Sequence, residues 1–178
     1  MAFEAYLYID GIRGDSTSKI AKDKSPIPGA GPIEISSYGL GIEMPVVENR
    51  SSTGAITVGR ANFEDFETEK NLDISTSALI FNCLAGTHIP KAVIMIYRST
   101  SDGKNSAPVL YMQIEYESVV ITEVGVSGGG DEMPKETLKF NYGSVKYTYS
   151  KTDKKTGKAT GTTAIFDWNR ATNTGTKS

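Results

Sequence analysis

The residues of this sequence that most often carry catalysis or bind metal are few and separated. The single cysteine, Cys83, and the single histidine, His88, are near enough along the chain to raise the question of a Cys–His nucleophilic pair. Cys83 falls on a predicted helix that ends near Gly86, however, and no third residue is placed to orient the histidine. We interpret the two as a thiol in a helix core and a histidine in a loop. One cysteine and one histidine are also too few for a metal site, so we predict none.

Paired carboxylates are the second candidate for chemistry. Glu115 and Glu117 alternate along a predicted strand and therefore share one face. Two carboxylates within reach of each other can act as general acid and general base, which leaves a small β-barrel hydrolase as an alternative. On an amphipathic strand, acidic residues usually form the solvated face. We therefore predict that the protein is not an enzyme and that it has no catalytic residue and no cofactor.

Neither the glycine-rich segment 125–131 nor a local group of lysines predicts a phosphate site. The glycine-rich segment has no following Lys-Ser or Lys-Thr, and Asp131 and Glu132 would repel a phosphate, so it is typical of a turn. The formal net charge is -2, which gives no electrostatic footprint for nucleic acid. The lysines lack interleaved aromatic residues and are typical of a solvated hairpin tip: Lys151, Lys154, Lys155 and Lys158. We predict no nucleic-acid partner.

Composition and the first residues predict the cellular compartment in which the protein folds. One cysteine excludes an internal disulfide framework. The first residues begin a strand pattern and lack the basic start and apolar run of a secretory signal, and no window reaches the roughly 18 apolar residues of a membrane helix. We therefore expect synthesis in a reducing cytoplasm without a signal peptide and no membrane insertion. Export would need another route.

Apolar periodicity predicts several strands and one helix. Alternation over 3–10 is that of a half-buried strand, and strands are also predicted over 33–42, 55–66 and 163–168. The helix is predicted over 76–85, with Asp73 or Ser75 as N-cap, Gly86 at its end and an apolar face made of Leu79, Ile80, Cys83 and Leu84.

Two long strand-like segments change parity and must bend. At about 3.3 Å per residue, the segment 109–126 would span about 60 Å as a single straight strand, far beyond a common length. Apolar residues hold the even positions along it, but beyond Glu117 and Ser118 the odd positions Val119 and Ile121 become apolar as well, and there we predict a bend or a division. A similar switch across Gly143, within 135–149, is typical of a bulge or corner.

Two long loops and one doubly apolar strand complete the pattern. The Pro/Gly-rich segment 13–32 is predicted to be an irregular exposed loop, and 44–54 a second loop. Loops this long in a small domain are uncommon unless they bind something. The strand over 91–97 is apolar at both parities and so must be covered on both faces, by the chain itself or by another subunit.

Together these elements predict a mainly β protein: a small closed or nearly closed β-barrel of two sheets with one short flanking α-helix. We expect one domain over 1–170 and a frayed C-terminal tail over 171–178.

Six segments, in this order and at these separations, resemble the Hcp family of type VI secretion proteins. Each is unspecific alone, and together they extend over nearly the whole chain: MAFEAYLYIDGI at 1–12, GRANFEDF at 59–66, HIPK at 88–91, GGDEMPKET at 129–137, FNYGSVKYTY at 140–149 and FDWN at 166–169.

The resemblance implies a structural subunit: six copies close a ring, and rings stack into a hollow tube inside a contractile sheath. In that family the tube carries a spike protein at its tip, is expelled from the cell and transports effector cargo in its lumen. This supplies the export route, and the family has no catalytic residues to carry over. The alternative within this family is a secreted effector or effector carrier.

Two contact regions follow as expectations. The family resemblance places a ring-stacking loop at Met44, Pro45, Val46, Val47, Glu48, Asn49 and Arg50. The doubly apolar strand predicts a subunit contact through Val93, Met95 and Tyr97. The segment 16–32 is longer than is usual in the family. A carbohydrate- or peptide-binding module is a further alternative, and it would use exposed tyrosines, namely Tyr6, Tyr8, Tyr147 and Tyr149.

Overall fold

The computed structural model describes residues 4–46, 59–98, 108–130, 133–153 and 159–178. The described residues form two helices, α1 (Lys19–Asp23) and α2 (Thr76–Ala85). They also form twelve strands: β1 (Glu4–Ile9), β2 (Ile33–Ile35), β3 (Ser37–Gly39), β4 (Ile42–Glu43), β5 (Asn62–Phe63), β6 (Phe66–Asn71), β7 (Ile89–Arg98), β8 (Val109–Ser127), β9 (Lys135–Asn141), β10 (Ser144–Thr152), β11 (Ala159–Asn169) and β12 (Thr174–Lys177).

The strands form two main antiparallel sheets that share β8. One sheet has the order β12-β11-β10-β8-β7-β1-β2, and in the other β3, β6, β9 and β8 are neighbours. The strands β4 and β5 pair separately with each other. The N–H of Ser36, between β2 and β3, donates to the Glu69 carbonyl of β6 at 2.8 Å, so the two sheets meet again there and form a nearly closed barrel. The mainly β fold of two sheets is confirmed, with α1 as a second, short helix.

A bend allows β8 to belong to both sheets. Its first part pairs with β7 and β10, and from Val120 onward it pairs with β9. The change occurs at Ser118, whose φ of 54° lies in the left-handed region. The N–H of Gly143, in the β9–β10 turn, donates to the Glu117 carbonyl at 2.9 Å. A Cβ on Gly143 would lie 3.0 Å from that of Ser118, so glycine allows the close approach. The predicted bend is confirmed.

The main core lies between the two sheets. Its centre is a group of four aromatic side chains from β6, β8, β9 and the following turn, with ring centroids between 4.7 and 5.3 Å apart: Phe66, Tyr116, Phe140 and Tyr142. Burial raises the pKa of Tyr142 to about 12, so its hydroxyl is neutral at physiological pH. Aliphatic residues of β1, β7 and β8 surround the group.

A second core covers the other face of β1 and β7, and it corrects two predictions. Val93, Met95 and Tyr97 are 0%, 5% and 2% exposed, and they pack with tyrosines of β1 beneath segment 13–32. That segment contributes Ala21, which lies on α1, and two further buried apolar residues, Ile27 and Ala30. The prediction of an irregular exposed loop is therefore only partly correct: the segment is irregular outside α1, but it buries apolar residues against the sheet. The basis for a subunit contact through these three residues of β7 is removed as well, because the chain itself covers them. We call segment 13–32 the strap.

The C-terminal segment is also ordered differently from the prediction. Instead of fraying, residues 174–177 form β12 and pair with the end of β11. A Cβ on Gly175 would lie 2.1 Å from the Asp167 carbonyl oxygen, so a side chain there would block this pairing. The strand carries Thr174, Thr176 and Lys177 and no apolar residue, which is why hydrophobic periodicity missed it.

The strap is held by one buried hydrogen bond that a single substitution removes. The Tyr8 hydroxyl donates to the Ala21 carbonyl at 2.8 Å, and Tyr8 is fully buried. We expect Tyr8→Phe to lower the free energy of unfolding by about 1–2 kcal/mol, because it leaves a buried carbonyl unpaired. Tyr149→Phe, at a half-buried site on β10, is the matched control and should change the free energy of unfolding by about 0.5 kcal/mol or less. Urea unfolding followed by fluorescence measures both, and equal stability of the two variants would contradict this strap anchor.

Candidate assembly surfaces

Large apolar side chains are exposed on and beside α2. Leu84 is 84% exposed, Phe81 69% and Ile74 62%. Phe81 and Leu84 are three residues apart on the helix and therefore neighbours on its surface. The bounds predicted for this helix are those observed, but the predicted apolar face is only partly correct. Leu79 is buried and Cys83 is half-buried, whereas Ile80 is 38% exposed and Leu84 points away from the core. We call Phe81, Leu84 and Ile74 the α2 face.

The start of α2 is fixed to the sheet by buried charges. Lys70 and Glu136 are directly opposite each other on β6 and β9, and both side chains are fully buried. The Lys70 ammonium lies 3.2 Å from a Glu136 oxygen and 2.8 Å from Asp73. The Thr76 hydroxyl, in the first turn of α2, donates to the same Glu136 oxygen at 2.5 Å. The Asp73 carboxylate accepts a bond from the Ser75 N–H at 2.8 Å. These bonds hold α2 in one orientation and so determine what its outer face presents.

Sequence reasoning missed this charged group, although a signal was present. In β6 the inward positions are Phe66, Thr68 and Lys70, and in β9 they include Glu136 and Leu138. A lysine and a glutamate at inward parity on two strands therefore predict a buried pair once the strands are known to be neighbours.

The charged group is testable through stability. Lys70→Met leaves the Glu136 carboxylate buried without its main counter-charge, and we expect a loss of about 3–5 kcal/mol in the free energy of unfolding. The double variant Lys70→Met/Glu136→Leu removes both charges, and we expect it to regain most of that loss. Urea denaturation measures the three proteins. A Lys70→Met variant as stable as the parent would show that the ion pair does not hold β6, β9 and α2 together.

A two-stranded arm, β4 and β5, leads into the predicted ring-stacking loop. Of the loop residues, the structure describes Met44, Pro45 and Val46, and Val47, Glu48, Asn49 and Arg50 lie outside the described residues. Met44 and Val46 are 50% and 58% exposed. An apolar arm of this kind is available for contact, and its role in ring stacking stays a prediction.

Two arginines converge at the base of the arm, beside a cavity of about 400 Å³. The Arg170 guanidinium lies over the rings of Phe63 and Tyr142, 5.2 and 5.1 Å from their centroids. It donates to the Asn141 side-chain oxygen at 3.0 Å. Arg60 donates to the Arg170 carbonyl. Among the described residues, neither arginine has a carboxylate within 4.0 Å, but the Asn141 side chain also donates to Asp65 at 2.6 Å, so a carboxylate lies close to this pair.

The acidic pair considered for catalysis has structural partners. Glu115 forms an ion pair with Lys91 at 2.6 Å and accepts a bond from Gln113 at 3.1 Å. Glu117 accepts a bond from the Ser144 hydroxyl at 3.2 Å. These contacts join β7, β8 and β10 across the sheet, which is the role expected of charged cross-strand pairs.

The other sequence candidates for chemistry do not converge in the structure. Cys83 is half-buried on α2 and His88 is exposed beyond its end. Among the described residues, no group of three or more acidic, histidine or cysteine side chains could hold a metal ion. Neither described helix has the length and apolar character of a membrane-spanning segment.

The four tyrosines considered for ligand binding pack within the protein. Tyr6 and Tyr8 are buried under the strap. Tyr147 stacks on Phe166 across β10 and β11, with ring centroids 5.6 Å apart, and Tyr149 packs edge-on against Tyr111 at 6.4 Å. These contacts are cross-strand pairs and do not form an exposed aromatic platform.

Comparison with known proteins identifies the family. The model of the family described as "Type VI secretion system effector, Hcp" matches residues 6–149. The chain belongs to the Hcp family. Protein hcp1 of Pseudomonas aeruginosa is 29% identical over 111 residues, which cover 62% of this chain and 65% of that protein. The match thus spans slightly less than two thirds of that relative.

Solved structures share the Hcp fold. The structure of one type six secretion system protein has a TM-score of 0.82 at 24% identity, and the match covers 98% of this chain and 100% of that chain. Hcp1 from Salmonella typhimurium has a TM-score of 0.71 at 21% identity, and the match covers 99% of this chain and 100% of that chain. A chain of the 6-fold symmetrised baseplate of the anti-feeding prophage has a TM-score of 0.51 at 15% identity. The match covers 79% of this chain and 87% of that chain.

Proposed function

We propose that this Hcp protein is the tube subunit of a type VI secretion system. Six copies close a ring, rings stack into a hollow conduit, and a contractile sheath expels the tube with its tip spike and effector cargo. The family match over 6–149 carries this proposal. The similarity to a chain of a sixfold baseplate supports it, because that assembly has the same symmetry.

The α2 face supports lateral association of copies. Soluble monomers rarely expose a contiguous group of large apolar residues, and such groups commonly mark interfaces. Burying a side chain such as Phe81 or Leu84 stabilises an interface by about 1.5–3 kcal/mol. A ring uses the same contact at every subunit boundary and closes without open ends in its plane. We therefore place the α2 face in the contact between neighbouring subunits of a ring, in place of the β7 residues that the sequence predicted.

The protein acts by assembly and not by catalysis. The acidic pair that would serve a hydrolase, Glu115 and Glu117, is occupied by cross-strand partners. The buried Lys70–Glu136 pair holds two strands and a helix together. Charged groups used in this way stabilise the subunit and orient its α2 face.

Ring formation tests the proposal. We expect the parent protein to run as a hexamer in light scattering and to show sixfold annuli in negative stain. Phe81→Ser/Leu84→Ser should shift it toward monomers, because the loss of two apolar contacts amounts to about 3–6 kcal/mol per boundary, or more than about 100-fold in the dissociation constant. Both residues are well exposed, so the fold should be retained, and far-ultraviolet circular dichroism checks this.

Val46→Ser is the matched control. Val46 is 58% exposed in the predicted ring-stacking loop beside β4, and this variant should keep its rings. Intact hexamers in the Phe81→Ser/Leu84→Ser variant would exclude the α2 face from the subunit contact. A parent protein that stays monomeric at high concentration would contradict the tube function itself.

A further inference from the structure

The base of the arm meets the C-terminal turn, residues 170–173 between β11 and β12. From the arm side, Arg60 donates to the carbonyl oxygens of Arg170 and Ala171, the second at 3.5 Å. From the C-terminal side, the Arg170 guanidinium lies over the ring of Phe63 in β5, 5.2 Å from its centroid. Each segment therefore sends one arginine to the other, and we call Arg60 and Arg170 the clasp.

The clasp is anchored at the bend of the barrel. Arg170 donates through its backbone N–H to the Gly143 carbonyl at 2.9 Å and through its side chain to the Asn141 side-chain oxygen at 3.0 Å. Its guanidinium also lies 5.1 Å from the ring centroid of Tyr142, which is fully buried. The Gly143 N–H in turn donates to the Glu117 carbonyl where β8 bends. The guanidinium is thus held between the arm and the bend.

Asn141 connects the clasp to the root of the arm a second time. Its side-chain oxygen accepts the bond from Arg170, and its side-chain N–H donates to Asp65 at 2.6 Å. Asp65 lies between β5 and β6 and also accepts a bond from Thr122 at 2.6 Å. A guanidinium and a carboxylate are therefore joined through one amide. With both charges present, the clasp acts through its geometry and not as a site for a charged partner.

The arm has few other contacts that fix its direction. Its strands pair through two residues each, and a two-stranded ribbon is only marginally stable by itself in water. Ile42 on β4 is 49% exposed, whereas Phe63 on β5 packs against the main core. A ribbon attached through one aromatic side chain can pivot about it, and the guanidinium lying on that ring opposes such a movement.

We propose that the C-terminal turn sets the direction of the arm through the clasp, with Arg60 and Arg170 as positioning residues. A planar guanidinium can lie on two rings and donate in its own plane at the same time, which the ammonium group of lysine cannot do. A disturbance of the turn therefore reaches the arm, although the two arginines are 110 residues apart. The inference rests on the proposed function at one point: an arm of fixed direction loses less conformational entropy when it contacts a second copy.

Hydrogen exchange of the arm amides, measured by mass spectrometry, tests the clasp. The N–H groups of Gly59 and Glu64 donate across the arm to the carbonyls of Pro45 and Gly41, at 3.2 and 3.0 Å. We expect R170A to speed the exchange of arm peptides by about tenfold, because an arm without the stacked guanidinium opens more often. R170K keeps the charge and lacks the planar fork, so it should restore only part of the protection.

R98A is the matched control. Arg98 also lies over an aromatic ring, that of Tyr111, at 4.8 Å from the centroid. It is the last residue of β7, whereas the clasp lies near the bend of β8, where the first residue of β7 pairs. R98A should therefore leave arm exchange within about twofold of the parent.

A double-mutant cycle separates coupling from general destabilisation. The Asn169 side-chain oxygen accepts bonds from the N–H groups of Ala171 and Thr172 at 2.9 and 3.1 Å, and so shapes the C-terminal turn from within. N169A should speed arm exchange by roughly threefold in the parent. Added to the R60A/R170A variant it should have almost no further effect on the arm, because the turn has lost its connection to it.

The contrary outcomes are distinct from a failure of the tube function. Arm exchange that is unchanged in R170A, equally fast in R98A, fully protected in R170K, or speeded by N169A to the same extent without the clasp would overturn the inference. R60A removes an exposed side chain and should speed arm exchange as well, which keeps the test decisive if R170A does not fold. Arm exchange can be followed in rings or in monomers, so a parent protein that forms no rings would contradict the tube function and leave the clasp standing.

Discussion

The bend of β8 at Ser118 is the constraint on which the rest of the structure depends. A straight strand of 19 residues would extend for about 60 Å, and one sheet built on it would leave its apolar face uncovered. By turning at Ser118, the strand pairs with β7 and β10 on one side of the bend and with β9 on the other. The two sheets then enclose the aromatic group around Tyr116. The left-handed backbone at Ser118 is unfavourable for a residue with a side chain, and the surrounding pairings hold it there.

The second sheet serves to orient α2. Its strands β6 and β9 place Lys70 and Glu136 face to face at the point where the helix begins. A buried ion pair contributes little net stability compared with a well-packed apolar pair, but it has a defined geometry, and Thr76 and Asp73 complete it. The helix therefore has a fixed roll about its axis, with Leu79 directed inward and Phe81 and Leu84 outward. Exposing those two residues is unfavourable for an isolated subunit, which is why the α2 face is better explained by assembly than by the fold.

Sequence patterns predicted local features well where parity or capping marked them. The switch of parity near Glu117 located the bend, and Gly86, with its positive φ, ended the helix where expected. The strap was missed because Ala21, Ile27 and Ala30 share no periodicity, and their burial depends on a sheet face formed by distant strands. The arginine pair was missed for a similar reason. Arg60 and Arg170 are 110 residues apart, and local patterns give no sign that they meet at the base of the arm.

Self-coverage of β7 by the strap changes how assembly must be understood. If Val93, Met95 and Tyr97 were uncovered, hydrophobic burial alone would drive copies together along that sheet face, with little control over direction. With that face satisfied internally, most of the large exposed apolar side chains among the described residues lie on or beside α2 and near β4. In the proposed ring, contacts on α2 would act within the ring plane, where closure limits their number. Assembly then depends on a few defined patches and not on a whole sheet face.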